Sequence, residues 1–330
     1  MAIVNLIEQI DRDKAKGSMT PREIVALNVD FTCTLQCESC EHFFECNADY
    51  KWETYQRRRM SRARQVMSKI KHKIAVVGGK GGVGKSITTT NLATAMAMKG
   101  KQVSILDHDF DGPCIPKMMG LSGRMKLGRE GIIPAEGVLG IQVVSMGLIL
   151  ANDEVLTWFH DMRRNATEEF LAHVEYGERD YLFVDLPPGT SSDSVNLMQY
   201  IPEIAGAVVV TIPSEVSQGV ARKAALLCQK AKVPVFGVIE NMSGYVCPHC
   251  GEESFILQKG GGERLAEEMG FRFFGRIPLD PRLSRASDEG IPFVYQHPDS
   301  PASVAVRRIV DELEEMIEGT TTPYQQPARM

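Results

Sequence analysis

The chain has 330 residues, 43% apolar and 24% charged, with a formal net charge of −5. This composition is ordinary for a globular protein with a sizeable core, and its acidic balance argues against a general nucleic-acid binder. No run of about 18 apolar residues occurs, so no transmembrane helix is expected.

The N-terminus, MAIVNLIEQIDRDKAK, lacks the basic start and long apolar run of a secretory signal. Eight cysteines in such a chain point to metal ligation rather than disulfides, and a cytoplasmic location is expected. Residues 1–50 hold Cys33, Cys37, Cys40 and Cys46 in a C-x3-C-x2-C-x5-C pattern. Four thiolates within fourteen residues can wrap one metal centre. Zinc sites usually split their ligands into two separated pairs, whereas compact all-cysteine runs suit a [4Fe–4S] cluster. Structural zinc and a redox disulfide set are the alternatives. The first two spacings, Cys33-x3-Cys37-x2-Cys40, also match radical-SAM enzymes, but their barrel does not follow.

Residues 51–73 carry nine Lys or Arg, among them Arg57, Arg58, Arg59, Arg62 and Arg64, against the single acid Glu53. The expectation is a solvated basic linker helix; a docking site for an acidic partner is the sharper alternative.

The apolar run Ile74–Val77 then enters Gly78-Gly79-Lys80-Gly81-Gly82-Val83-Gly84-Lys85-Ser86. Gly79, Gly84, Lys85 and Ser86 satisfy the G-x-x-x-x-G-K-[ST] spacing of a phosphate-binding loop. Glycines let successive N–H groups face the phosphates, Lys85 reaches the β/γ-phosphates, and Ser86 offers a hydroxyl to Mg²⁺. A helix starting near Lys85 adds its positive end and runs to about Met98, with Gly100 as its stop. A strand over 102–106 leads to Asp107-His108-Asp109-Phe110-Asp111. Acids at the carboxyl end of a parallel strand beside such a loop face the metal and the attacking water. Asp109 is the candidate for positioning water, and Asp107 for the metal's water shell.

A strand over 141–146 and a helix over about 153–176 come next. The strand 181–185 ends in Asp185-Leu186-Pro187-Pro188-Gly189-Thr190, a carboxylate placed to hold Mg²⁺ through water, with prolines stiffening a γ-phosphate-sensing loop. Further strands are expected at 207–212, 235–240 and 271–277, with helices at 217–230, 261–269 and 301–318. Alternating strands and helices over this length predict a doubly wound, mostly parallel α/β sheet. The division expected is a cysteine-rich segment 1–50, a basic linker 51–72, a P-loop ATPase domain 73–318 with a C-x-x-C insertion, and a disordered tail 319–330.

That insertion is Cys247-Pro248-His249-Cys250. It supplies two thiolates where a tetrahedral or cubane site wants four, and two copies meeting at a two-fold axis supply the rest. Half a zinc knuckle and a thioredoxin-like redox pair are the alternatives.

The string Lys80–Ser86 resembles the deviant P-loop of the MinD/ParA/ArsA/nitrogenase-iron-protein ATPases. That resemblance implies a nucleotide-sandwich dimer in which Lys80 of one subunit reaches the phosphates bound by the other. Taken with Asp185–Thr190, Asn241-Met242-Ser243 followed by Cys247-x-x-Cys250, and Phe274-Gly275-Arg276-Ile277-Pro278-Leu279-Asp280, the chain resembles the Mrp/ApbC iron–sulfur cluster carriers over roughly residues 73–317. The resemblance implies a homodimer that binds and hydrolyses ATP with Mg²⁺, using Gly79 through Ile87. It implies a labile [4Fe–4S] cluster bridged by Cys247 and Cys250 of two subunits, transferred to apo iron–sulfur proteins.

The resemblance also makes Asn241 the adenine-recognising residue, and the Pro278 segment belongs to the same nucleotide site. Cys37, Cys40 and Cys46 match the N-terminal motif of the nucleotide-binding branch, whereas Cys33 departs from it. Ser192 stands where that family carries an acid, and Cys114 where it often carries serine; Cys114 and Cys228 read as small core residues. Two other functions are weighed: an ATP-gated electron-transfer protein of nitrogenase-iron-protein type, and a MinD/ParA-like positioning ATPase.

Overall fold

A computed structural model describes residues 51–320 apart from 130, 150–159, 190–193, 195, 196, 199 and 248. Cys33, Cys37, Cys40 and Cys46, the switch-loop residues Thr190 and Ser192, and most of the expected tail lie outside the described residues. The elements are α1 (Lys51–Met67), β1 (Ile70–Gly78), α2 (Lys85–Met98), β2 (Val103–Asp107), α3 (Ile115–Met118), β3 (Lys126–Leu127), β4 (Ile132–Ile133), β5 (Ala135–Glu136) and β6 (Gln142–Ser145). They continue with α4 (His160–Ala172), β7 (Arg179–Asp185), β8 (Gly206–Thr211), α5 (Glu215–Lys230), β9 (Val235–Val246), β10 (Glu253–Ser254), α6 (Gly261–Met269), β11 (Arg272–Leu279), α7 (Arg282–Glu289), α8 (Phe293–Gln296) and α9 (Pro301–Glu318).

Among the described residues one nine-stranded sheet runs β9-β8-β1-β7-β2-β6-β5, with β10 and β11 both paired to β9. All its ladders are parallel except β5–β6 and β9–β10. The winding expected from the strand–helix alternation is therefore observed. β1 shows why a central parallel strand reads as an unbroken apolar run: Ile74 and Val76 pack on one face with α2 and α9, while Ala75 and Val77 pack on the other with α4, α5 and α6. The strands β1, β2 and β7 all point their carboxyl ends the same way, and the Asp107–Asp185 pairing in the β2–β7 ladder sets both acids beside the end of β1. That edge is where doubly wound sheets bind ligands.

Helix α2 is buried almost all round, yet it contains Thr88, Thr89, Thr90, Asn91 and Thr94. Their hydroxyls and amide turn back onto the helix, as in Thr88 Oγ1 to the Gly84 carbonyl at 2.8 Å and Thr94 Oγ1 to the Thr90 carbonyl at 2.7 Å. Such back-bonding satisfies polar groups that no water reaches.

The structure corrects three sequence expectations. The basic stretch is not a solvated linker from Arg59 onward. Ala63 and Met67 join the core, and Arg59 is 2% exposed, with Nη2 2.5 Å from Glu169 and donating at 3.0 Å to the Asn165 carbonyl of α4. Sheet pairing also begins at Ile70, before the expected boundary at 73. Periodicity alone cannot foresee this, because it depends on two acids, Glu168 and Glu169, more than a hundred residues away. Second, the helix expected to reach Tyr176 ends at Ala172. Third, β9 does not stop at Glu240 but continues to Val246, held by β11 on one side and β10 at its end. Met242 (φ 54°) and Gly244 (φ 83°) break its regularity, and the ladder with β11 shifts register there.

Candidate functional site

The loop between β1 and α2 has Gly82 and Gly84 at φ 81° and 79°, the left-handed region open to glycine without strain. Gly84 caps α2 with no side-chain bond to the first turn, so that turn's N–H groups remain for an anion. A Cβ on Gly79 would lie 2.3 Å from the Val220 carbonyl carbon, so the loop lies directly on the α5 backbone. On Gly81 or Gly82 a Cβ would meet nothing within 4 Å: that side of the loop, next to half-buried Lys80, faces open space.

Asp185 is the hub of the site. It is fully buried; Oδ2 accepts from Lys85 Nζ at 2.5 Å and from Ser86 Oγ at 2.6 Å, and Oδ1 accepts from Thr89 Oγ1 at 2.6 Å. One carboxylate thus gathers the loop lysine, the expected metal-binding hydroxyl and a helix hydroxyl. Thr89 was not anticipated, although its place four residues after Lys85 puts it on the same helix face. After β7, Leu186 and Gly189 donate to the carbonyls of Val76 and Gly78, binding the next loop to the end of β1.

Asp107 lies beside this hub. Its Oδ2 accepts from Ser145 Oγ at 2.9 Å and its Oδ1 from the Asp109 amide at 3.2 Å. Complete burial, followed by repulsion from Asp185, pushes its carboxyl up from 3.8 to about 8. Asp109 is half-buried and accepts from the Gly112 amide at 3.2 Å. His108 between them is buried, and burial together with Arg163 drives its imidazole down to about 3. Its Nε2 lies 2.7 Å from Thr167 Oγ1, whose own proton goes to the Arg163 carbonyl, so Nε2 is the donor. The segment 107–111 after β2 is thereby latched to α4, which the sequence did not indicate. Cys114 proves not to be a core residue: it is half-buried near Ser86 at the site, where burial pushes its thiol up, while Cys228 is fully buried as expected.

Asn241 is 5% exposed and donates from Nδ2 to the Val83 carbonyl at 2.9 Å, so β9 grips the phosphate loop itself. Pro278 lies on β11 within the register shift beside the Ile277–Asn241 pair. Five residues beyond Asn241 the strand ends, and Cys247 follows. Its amide donates to the Glu252 carbonyl, and its carbonyl accepts from the Gly251 amide, both at 2.9 Å, closing a tight knuckle. The amides of Cys250 and His249, then the Cys250 thiol, hold the Cys247 thiol below its ordinary pKa. Amides aimed at a sulfur favour the thiolate, the form that ligates metal. Cys250 is exposed. No three His, Cys, Asp or Glu side chains converge on a common metal position among the described residues, and no helix there is long and apolar enough to cross a membrane.

Comparison with known proteins agrees with this geometry. The family model of the NUBPL iron-transfer P-loop NTPases matches residues 69–314. A protein of Methanocaldococcus jannaschii called an iron-sulfur cluster carrier protein is 42% identical over 289 residues, 87% of this chain and 98% of that one. A protein of the same name from Saccharolobus solfataricus is 44% identical over 254 residues, covering 76% and 86%. A solved nucleotide-binding protein from Archaeoglobus fulgidus, in complex with ADP, superposes with a TM-score of 0.64 at 37% identity, over 72% of this chain and 93% of that one. The septum site-determining protein MinD of Pyrococcus horikoshii, at 20% identity, TM-score 0.57 and coverage of 75% and 98%, shares the fold. The chain therefore belongs to the NUBPL iron-transfer family of P-loop NTPases.

Proposed function

We propose that this protein is an ATP-hydrolysing iron–sulfur cluster carrier that assembles a [4Fe–4S] cluster at Cys247 and Cys250 and hands it to apo iron–sulfur proteins in the cytoplasm. The observation that carries the reading is the cysteine knuckle at the end of the strand that grips the phosphate loop. The names of the relatives in M. jannaschii and S. solfataricus support it.

In this reading the loop amides of Gly79 to Gly84 and the first turn of α2, through Ile87, bind the phosphates. Lys85 exchanges its Asp185 partner for the β/γ-phosphates. A hydroxyl next to a carboxylate suits a hard divalent cation, so Ser86, with Asp185 through water, would hold Mg²⁺, which supplies charge neutralisation when bound. Asp109 orients the attacking water, and Asp107 supports the water shell. Asn241 and Pro278 line the nucleotide's base end.

Lys80, beside the open side of the loop, reaches across to a second copy's phosphates. Two cysteines per chain leave the cluster half-liganded, so a homodimer supplies the other pair. Cys33, Cys37, Cys40 and Cys46 bind a second cluster. The cluster is cargo: thiolates divided between two chains respond to any motion of the interface that nucleotide drives.

Anaerobic reconstitution with iron and sulfide tests this. The wild type should hold iron that a Cys247→Ala/Cys250→Ala variant lacks, and its particle size should exceed one chain when loaded. Equal iron in both proteins would end the proposal.

A further inference from the structure

The residue before Asn241 has no part in binding the nucleotide, yet it is the most heavily bonded acid near the cysteine loop. Glu240 is fully buried in β9. Its Oε1 accepts from Ser243 Oγ at 2.5 Å and from the Gly260 amide at 3.0 Å, and its Oε2 accepts from the Gly262 amide at 2.5 Å. Arg276 of β11 approaches Oε1 at 3.4 Å and also pairs with Glu263. A carboxylate taken out of water costs several kcal/mol unless it is fully hydrogen-bonded, and here the three hydrogen bonds it accepts come from two places. Ser243 stands at the foot of the segment 244–259, which holds the last three residues of β9, the cysteine knuckle and β10. Gly260 and Gly262 are the foot where it returns and α6 begins.

Glycines at the two ends, Gly244 and Gly260, both have φ 83°, giving the loop a bend at each foot. A Cβ on Gly262 would lie 2.9 Å from the Glu240 Cβ, so the contact leaves no room for another residue. On the phosphate side, Asn241 Nδ2 bonds to the Val83 carbonyl and would touch a Cβ on Gly84 at 2.1 Å. A shift of Val83 or Gly84 on phosphate binding thus bears directly on Asn241, and Asn241 is covalently joined to Glu240.

We infer that Glu240 is a positioning residue: it fastens both feet of the cysteine-bearing loop to the strand position next to the phosphate-loop contact Asn241, so that nucleotide in the loop resets the geometry of Cys247 and Cys250 within one chain. This deepens the carrier reading and rests on it for the meaning of the two cysteines, but the linkage itself is a property of the metal-free protein.

The test is peptide-resolved alkylation of the metal-free full chain by iodoacetamide, with and without a non-hydrolysable ATP analogue and Mg²⁺. Cys114, half-buried near Ser86, reports nucleotide binding through its protection in every variant, and the rise in melting temperature with the analogue checks binding independently. In the wild type the analogue should change the Cys247 rate by about threefold or more, the size of a modest coupling energy between sites. In Glu240→Gln, which sets an amide NH₂ against a backbone N–H, that ratio should fall towards one while Cys114 remains protected. Ser243→Ala removes one tie without disturbing the buried charge; it should show a partial loss and carries the test if Glu240→Gln does not fold. A wild-type Cys247 rate indifferent to nucleotide, or variants that keep the full wild-type ratio, would overturn the inference. Neither result bears on whether the cysteines hold iron, which the reconstitution experiment decides separately.

Discussion

Asp107 makes the site's electrostatics measurable as stability. Its carboxyl titrates at about 8 in the folded chain against an ordinary 3.8, because it is wholly buried beside Asp185. Between those values the native state holds a proton that the unfolded chain has released, so stability falls as pH rises from about 4 to about 8 and is level above that. At about 1.4 kcal/mol per pH unit the ceiling on this loss is about 6 kcal/mol. Relaxation around the charge should leave about half of it, roughly 3 kcal/mol. Asp107→Asn removes the titration while keeping the shape: the amide oxygen can accept from the Asp109 N–H, and the Ser145 hydroxyl can turn to accept from the amide nitrogen. Urea unfolding of nucleotide-free, EDTA-treated protein at pH 5, 7 and 9 is the assay. The two proteins should agree within about 1 kcal/mol at pH 5, and the variant should be the more stable at pH 9 by roughly 3 kcal/mol. Parallel curves across the whole range would refute the reasoning, since Asp107 would then titrate alike in the folded and unfolded chains.

Arg59→Ala should lower the unfolding free energy by about 3 kcal/mol, because it removes a buried cation from Glu168 and Glu169 in the dry contact between α1 and α4, although Glu168 keeps its pair with Arg164. Replacing all three charges by Met and Gln should recover most of that, and a loss under about 1 kcal/mol would restore the solvated-linker view. Gly79→Ala should displace the loop from α5, costing about 1–3 kcal/mol by overpacking and abolishing the rise in melting temperature that ADP produces; a normal ADP response would show that the loop accommodates the methyl group.

Much of this protein follows from local chemistry that a sequence displays. The glycine spacing around Lys85 admits few structures, because bare amides must surround an anion, and the apolar runs of β1, β7 and β8 are continuous because both faces of a parallel sheet are covered. Helix caps are equally local, although the sequence reading started one helix at 217: Ser214 and Ser300 each accept from an amide three residues on, and the helices begin at 215 and 301. What the sequence left undecided involves partners distant along the chain.

Arg59 reads as one more charge in a basic run until the fold brings Glu168 and Glu169 to it. Cys114 reads as a small core residue until the start of α3 sets it, half-buried, near Ser86. By sequence the strand β9 ends at Glu240, and only pairing with β10 and β11 carries it on to the cysteines. The physical reason is the same each time. Backbone conformation and phosphate geometry are short-range demands written in neighbouring residues, whereas burying a charge depends on which distant element arrives to neutralise it, and that is decided only when the sheet closes around β1.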